Sequence, residues 1–236
     1  MKAIGYRVAG SLERADSLVD IELDRPQPEG RDLLVAVSAI SVNPVDTKIR
    51  RNVSPECDQW KVLGWDAVGT VVETGPDVTD FKAGDAVFYA GSLIRPGTNS
   101  EFHLVDERIV GRKPASLGDA EAAALPLTAI TAYEMLFDRL DVQKPVPGAA
   151  RAIVIIGGAG GVGSIAIQLV RALTDQTVIA TVSRPQTKDW VKSLGAHHVI
   201  DHTRPIAGQV AASGSVRPPS CSPPRKRIVF SRILSN

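Results

Sequence analysis

The sequence predicts an α/β protein of two units in series: a β-rich N-terminal unit, then an incomplete, doubly wound parallel sheet. Three observations predict it. Short strand-like runs separated by turn formers fill residues 1 to about 115. Strand, loop and helix alternate from Ala152 to about residue 206. A glycine-rich loop, "GGAGGVG" at 157–163, stands at the first of those strand-to-helix turns.

The first unit reads as a compact barrel or sandwich. "LLVAVSAISV" (33–42), "AVGTVVETG" (67–75), "DAVFYAG" (85–91) and "SEFHLV" (100–105) are short and rich in β-branched or aromatic residues. "QPEGRD", "GPDV" and "KAGD" punctuate them, as closely spaced strands require. At 119–125, "DAEAAAL", the period turns helical. Pro126 interrupts it, because proline inside a helix removes a donor and clashes with the preceding turn. "LTAITAYEMLFDRL" (127–140) resumes as a second helix, and "DVQKPVPGAAR" (141–151) is a connecting loop.

In the second unit an apolar strand leads into the glycine loop. Beyond it Val162, Ile165, Ala166, Leu169, Val170 and Leu173 share one helical face, with Gln168 and Arg171 directed away. "TVIATVS" (177–183) is apolar enough for a strand buried on both faces. Pro185 suits the first turn of a helix through "QTKDWVKSLG", ending at Gly195. "HHVID" (197–201) is the third strand. Such alternation indicates parallel strands with crossover helices.

Composition narrows the function. Net charge is +1, so nothing points to nucleic acid or a membrane surface as a partner. A hydrophobic content of 44% over 236 residues supports one large or two modest cores. Cys57 and Cys221 are too few for a disulfide framework or a thiolate-rich zinc site. No apolar run approaches the ~20 residues that span a bilayer, and "MKAIGYRVAG" lacks a secretory core. These features predict a soluble, cytoplasmic protein.

Gly158, Gly160 and Gly163 satisfy G-x-G-x-x-G. The early glycines permit a tight turn, the middle one lets backbone approach a pyrophosphate, and the last lets helix and strand pack closely. A helix N-terminus then offers free N–H groups and the positive end of its dipole to phosphates. The preceding strand and following helix are the context this motif needs. The candidate cofactor-binding set is therefore Gly158, Ala159, Gly160, Gly161, Val162 and Gly163. NAD sites often carry an acidic residue after the second strand. Here Ser183 and Arg184 stand there, with Lys188 one turn on and no carboxylate before Asp189. Such donors suit a 2′-phosphate, which predicts NADP(H). The alternative is that Arg184 and Lys188 are solvated surface charges.

Four segments occur in a recognisable order: "SVNPVDTKIR" (41–50), "LGWDAVGTVVETGPDVTDFKAGDAVF" (63–88), "EAAALPLTAITAYEML" (121–136) and "GGAGGVGSIAIQL" (157–169). Together they resemble the medium-chain dehydrogenase/reductase superfamily, and within it the zinc-independent, ζ-crystallin-like quinone oxidoreductases. The resemblance covers residues 1 to about 206. It implies a GroES-like domain over 1–122, a partial Rossmann nucleotide-binding domain with its leading helix over 123–206, and a non-homologous tail over 207–236. It further implies NADPH in a cleft between domains, hydride transfer to a quinone or α,β-unsaturated carbonyl, and a homodimer in an intact member. Asn43 and Asp46 would line the nicotinamide end, Thr128 would approach the carboxamide, and Gly160, Gly161, Val162 and Gly163 would hold the pyrophosphate. All three substrate-side residues would only position; none is an obligatory acid or base. Zinc alcohol dehydrogenases place cysteine where this chain has Asn43 and histidine where it has Trp65. Amide and indole are poor zinc ligands, so no metal is expected.

Other residues carry plainer readings. His197, His198 and His202 lie around one short strand, where neighbours face opposite ways; only His202 is a candidate to face a 2′-phosphate. His103 reads as structural or exposed. Trp60, Trp65 and Tyr89 form either a substrate wall or core. "PRKR" (224–227) mimics a basic localisation patch. Residues 207–236 are rich in Ser, Pro and Arg and show no period before "RIVFSRIL", so they read as mostly disordered. Only three of the six strands of a doubly wound domain are counted. This suggests a frameshifted, truncated family member with a bare sheet edge, poor solubility and little turnover. Two rival functions remain: a non-catalytic NADPH-binding module, and a zinc-dependent alcohol dehydrogenase.

Overall fold

The computed structural model describes residues 1–147 and 150–214, and the backbone of Ile228–Val229. It divides into two compact units, Met1–Leu127 and one beginning at Thr128.

In chain order the first unit holds β1 (Lys2–Tyr6), β2 (Val19–Glu22), β3 (Asp32–Ser41), α1 (Pro44–Asn52), β4 (Lys61–Val62), β5 (Asp66–Thr74), β6 (Ala86–Ala90), β7 (Phe102–Asp106), β8 (Val110–Arg112) and α2 (Asp119–Ala123). An antiparallel sheet runs β7-β3-β5-β6-β8, and a smaller one β2-β1-β4. Alternation explains the packing. Leu33 and Val35 of β3 face Ala67, Val71, Val87, Tyr89 and Val105, while Val68 turns the other way onto Ala122 and Ala123 of α2. Irregular register at Leu34/Val35 and Val37/Ala39 bends β3 against β5. Helix α1 escapes apolar periodicity altogether, because its buried residues are Asp46 and Arg50. Arg50 is drawn in by the carbonyls of Val8, Gly10 and Ser17 and by the Tyr6 ring.

Trp65 and Tyr89, each 2% exposed, are core, and Trp60 packs against Ala3, Ile21 and Val62 beneath Arg7. His103 is buried and structural. Its Nε2 lies 3.0 Å from the Pro96 carbonyl, which only accepts, so Nε2 carries the proton. Nδ1 then accepts from the Tyr89 hydroxyl at 3.0 Å. Burial pushes the imidazole down to about 4 from 6.5. The folded chain therefore binds this proton less readily than the unfolded chain. His103 contributes stability above pH 6.5 that is lost as pH falls towards about 4. The stability difference between wild type and His103→Gln, measured by denaturant unfolding, is expected to shrink by about 3 kcal/mol across that window. A pH-independent difference would contradict the buried neutral imidazole.

Pro126 does more than interrupt: it is the first residue of α3 (Pro126–Tyr133), where a missing N–H costs nothing. A π-helical turn, Glu134–Arg139, extends α3. There follow β9 (Ala152–Ile155), α4 (Gly161–Leu173), β10 (Thr177–Val182), a 3₁₀ turn at Pro185–Thr187, α5 (Lys188–Ser193), β11 (His198–Asp201), α6 (Ile206–Ala212) and β12 (Ile228–Val229). The sheet is parallel, in the order β11-β10-β9-β12. Both faces are covered. Ile153, Ile155, Val178, Ala180 and Val182 meet Leu136, Ala166, Ile167, Val170 and Val191 on one side; Val154, Ile179 and Ile200 meet Val210 on the other.

Three expectations need correcting. The buried stripe of α4 is Gly163, Ala166, Ile167 and Val170, with Leu173 46% exposed. The small residues Gly163 and Ala166 let the helix lie closer to the sheet, which rotates the stripe towards Ile167. Residues 206–212 are helical rather than patternless. Only Ile206 and Val210 are large apolar residues of α6, too few to show a period, but Gln209 ties it to β11: its Oε1 accepts from the Asp201 amide at 2.9 Å and its Nε2 donates to the Asp201 carbonyl at 2.7 Å. Third, four strands are described, not three. β12 pairs with the β9 edge, Ile228 opposite Val154 and Val229 opposite Ile155, since an unpaired apolar strand templates a β-branched segment. The rest of the tail reading, the "PRKR" patch and Cys221 lie outside the described residues. Among the described residues no helix is long and apolar enough to cross a membrane.

Candidate functional site

The glycine loop leaves β9 and enters α4 through a turn that only glycine fits. Gly157 has φ +71°, in the left-handed region. A Cβ at Gly163 would stand 2.4 Å from the Gly157 carbonyl oxygen and 2.8 Å from Gly158 Cα. The loop is pinned from β10. The Gly157 amide donates to Thr181 Oγ1 at 3.0 Å, and the Gly158 amide to the Thr181 carbonyl at 2.9 Å. Buried Thr181 also lies 2.9 Å from His202 Nδ1. Ser164 is the first residue to bond back into α4, its amide donating to the Gly160 carbonyl at 2.8 Å. The amides of Gly161, Val162 and Gly163 therefore precede the intrahelical ladder. Gly160 and Gly161 are exposed and carry no side chain. The result is a cradle of backbone donors suited to an anion. Thr128 lies beside it: a Cβ at Gly161 would meet Thr128 Cγ2 at 3.2 Å.

Ser183 and Arg184 follow the carboxyl end of β10, exposed to solvent, and Lys188 opens α5, also exposed. Thr181, which pins the loop, is two residues before Ser183, so these side chains flank the same sheet end. The three histidines diverge. His197 Nδ1 accepts from the Val178 amide at 2.9 Å, His202 meets Thr181, and His198 opens β11.

In the first unit Asn43 and Asp46 are buried at the start of α1. Asp46 Oδ2 accepts from the Asn43 amide at 2.7 Å, and Oδ1 from the Gly64 amide at 3.0 Å. Asn43 Nδ2 donates at 2.7 Å to Asp66, a residue that motif reasoning missed. Asp66 Oδ1 accepts from the Leu127 amide at 2.8 Å, so a carboxylate remote in sequence takes a first-turn donor of α3. Burial pushes Asp66 up to about 6, against the lowering effect of these hydrogen bonds. A signal was present: "GWDAVG" sets a charged residue within an apolar strand, which is rarely buried without partners. The neighbouring Trp65 donates its indole N–H to the Ser92 carbonyl at 3.1 Å.

An antiparallel β-rich unit followed by a parallel α/β unit with a glycine turn is the architecture of alcohol-dehydrogenase-like proteins. Residues 29–118 match the alcohol dehydrogenase GroES-like domain. The chain is 45% identical over 210 residues to a zinc-type alcohol dehydrogenase-like protein of Staphylococcus aureus, covering 89% of this chain and 62% of the relative. A Rhizobium etli CFN 42 protein assigned as a zinc-dependent alcohol dehydrogenase superposes with a TM-score of 0.89 at 66% identity, over 92% of this chain and 64% of that one. The Escherichia coli quinone oxidoreductase complexed with NADPH gives 0.74 at 28% identity, over 91% and 63%. The chain is thus similar, along most of its length, to zinc-type alcohol dehydrogenase-like proteins and quinone oxidoreductases, proteins of the medium-chain dehydrogenase/reductase type. It spans about 62% of the length of the curated relatives it matches.

Proposed function

We propose that this chain is an NADPH-binding oxidoreductase of the quinone oxidoreductase type, delivering hydride to a quinone or an α,β-unsaturated carbonyl. The observation that carries the reading is the Gly157–Gly163 cradle, where Gly160 and Gly161 are exposed, the first-turn amides of α4 precede its hydrogen-bond ladder, and a Cβ at Gly163 would collide with the loop. The residues present fit a dinucleotide. Gly160, Gly161, Val162 and Gly163 would hold the pyrophosphate with backbone donors, and Gly158 and Ala159 would complete the turn. Ser183, Arg184 and Lys188 would take the 2′-phosphate. Thr128 would position the carboxamide. Bound there, the cofactor supplies the hydride. Asn43 and Asp46 serve by holding the start of α1, together with Asp66, rather than by moving protons. The domain assignment 1–122, 123–206 and 207–236 belongs to the same proposal.

Zinc does not suit this donor set. The Trp65 indole nitrogen offers no lone pair and is committed to Ser92, and Asn43 Nδ2 is committed to Asp66. The reaction proposed needs no metal, because enones and quinones are already electrophilic.

Two measurements test the reading. Arg184→Ala is expected to weaken NADPH binding about tenfold and leave NADH binding unchanged; equal effects on both would make Arg184 a surface charge. Loss of reduced-nicotinamide absorbance on adding a benzoquinone or cyclohexenone to the purified chain is the expected activity. Alcohol-dependent reduction of NADP⁺ that a chelator abolishes would contradict it. Tight NADPH binding without turnover would instead identify a binding module.

A further inference from the structure

Trp190 is 52% exposed, yet its single donor is spent inside the fold. Its Nε1 donates to Ser164 Oγ at 3.0 Å. The Ser164 hydroxyl in turn donates to the Gly158 carbonyl at 3.3 Å. Serine in a first helical turn often bonds to a carbonyl of its own helix; here it reaches across to the loop instead. Gly158 is otherwise packed tightly: a Cβ there would lie 2.9 Å from Ala180 Cβ and 3.3 Å from Ile167 Cδ1. With its amide on Thr181 and its carbonyl on Ser164, the Gly158 residue has both polar groups fixed.

The peptide that follows is trans, so its C=O and N–H point in opposite directions. A Gly158 carbonyl held towards Ser164 forces the Ala159 N–H away from it, towards the open side of the loop, where Gly160 and Gly161 are exposed. We propose that Trp190 and Ser164 act in series as positioning residues that fix the Gly158–Ala159 peptide and aim the Ala159 amide at the pyrophosphate of a bound dinucleotide. This rests on the nucleotide-binding reading above. Neither side chain touches the phosphates. Ser164 sets the carbonyl, and Trp190 sets the rotamer of the Ser164 hydroxyl by occupying its acceptor side.

Calorimetric titration of NADPH and NADH into wild type, Ser164→Ala, Trp190→Phe, the double variant and Ser164→Thr tests this. Ser164→Ala is expected to weaken both dinucleotides about fivefold, the effect of one lost hydrogen bond. Trp190→Phe keeps the exposed ring, removes only the donor, and is expected to weaken both by a smaller factor. Because the two residues act in series, the double variant binds no more weakly than Ser164→Ala alone. Ser164→Thr, which keeps the hydroxyl, restores affinity. Unchanged affinity in Ser164→Ala, additive losses in the double variant, a loss confined to NADPH, or no rescue by threonine would each overturn the relay. A wild-type chain that binds neither dinucleotide overturns the nucleotide reading, and the relay with it; a binding chain with insensitive variants overturns the relay alone.

Discussion

Gly163→Ala is expected to lower NADPH affinity by at least about a hundredfold and to destabilise the second unit by about 2 kcal/mol. The new Cβ would stand 2.4 Å from the Gly157 carbonyl oxygen and 2.8 Å from Gly158 Cα. Both are backbone atoms that cannot swing aside, so α4 must move off the loop. That displaces the amides of Gly161, Val162 and Gly163 together. Losing two charge-assisted bonds to a phosphate accounts for the hundredfold. Gly208→Ala is the matched control. Among the described residues nothing lies within 4 Å of its Cβ position in α6, so alanine there is expected to stabilise by about 0.5–1 kcal/mol and leave binding untouched. Thermal unfolding and calorimetry on the two variants separate a loop effect from a general intolerance of alanine.

Asp66→Ala is expected to cost about 3 kcal/mol at pH 7, because it removes the short, charged acceptor of the buried Asn43 Nδ2 at 2.7 Å and that of the Leu127 amide at 2.8 Å. Asp66→Asn should cost far less. Its carbonyl oxygen can still accept from Leu127, and its NH₂ can donate to Asn43 once that amide turns over. The pH dependence carries a definite sign. Because burial raises the folded pKa to about 6 from 3.8, Asp66 contributes stability below pH 3.8 that is lost as pH rises through about 6. Asp66→Asn should therefore gain on wild type between pH 4 and pH 7, opposite in sense to the His103 effect. Denaturant unfolding at both pH values reads this out, and a gap that widens on raising the pH would contradict it.

Which parts of this molecule the sequence reveals depends on the physics that forms each part. The glycine turn is legible because its constraint is local. Tight turn, close approach and helix N-terminus all leave their mark in seven consecutive residues, 157–163. The strands β3, β5, β6 and β10 were legible because each buries apolar side chains in register with a face. Helix α1 was not, since it buries an aspartate and an arginine held by distant carbonyls and amides. Asp66 was passed over for the same reason: its partners, at positions 43 and 127, are 23 and 61 residues away. The placement of α6 and β12 depends on tertiary partners. Gln209 clasps the end of β11, and the β9 edge supplies a template for two residues. The Trp190–Ser164–Gly158 chain joins α5, α4 and the loop, and no periodicity encodes it.

Direct titration of NADPH into the purified 236-residue chain tests most simply whether the Gly157–Gly163 turn is a working dinucleotide cradle. Saturable binding at one site per chain, lost in Gly163→Ala and retained in Gly208→Ala, is the predicted result. Absence of binding by wild type, or binding that Gly163→Ala leaves intact, would contradict it.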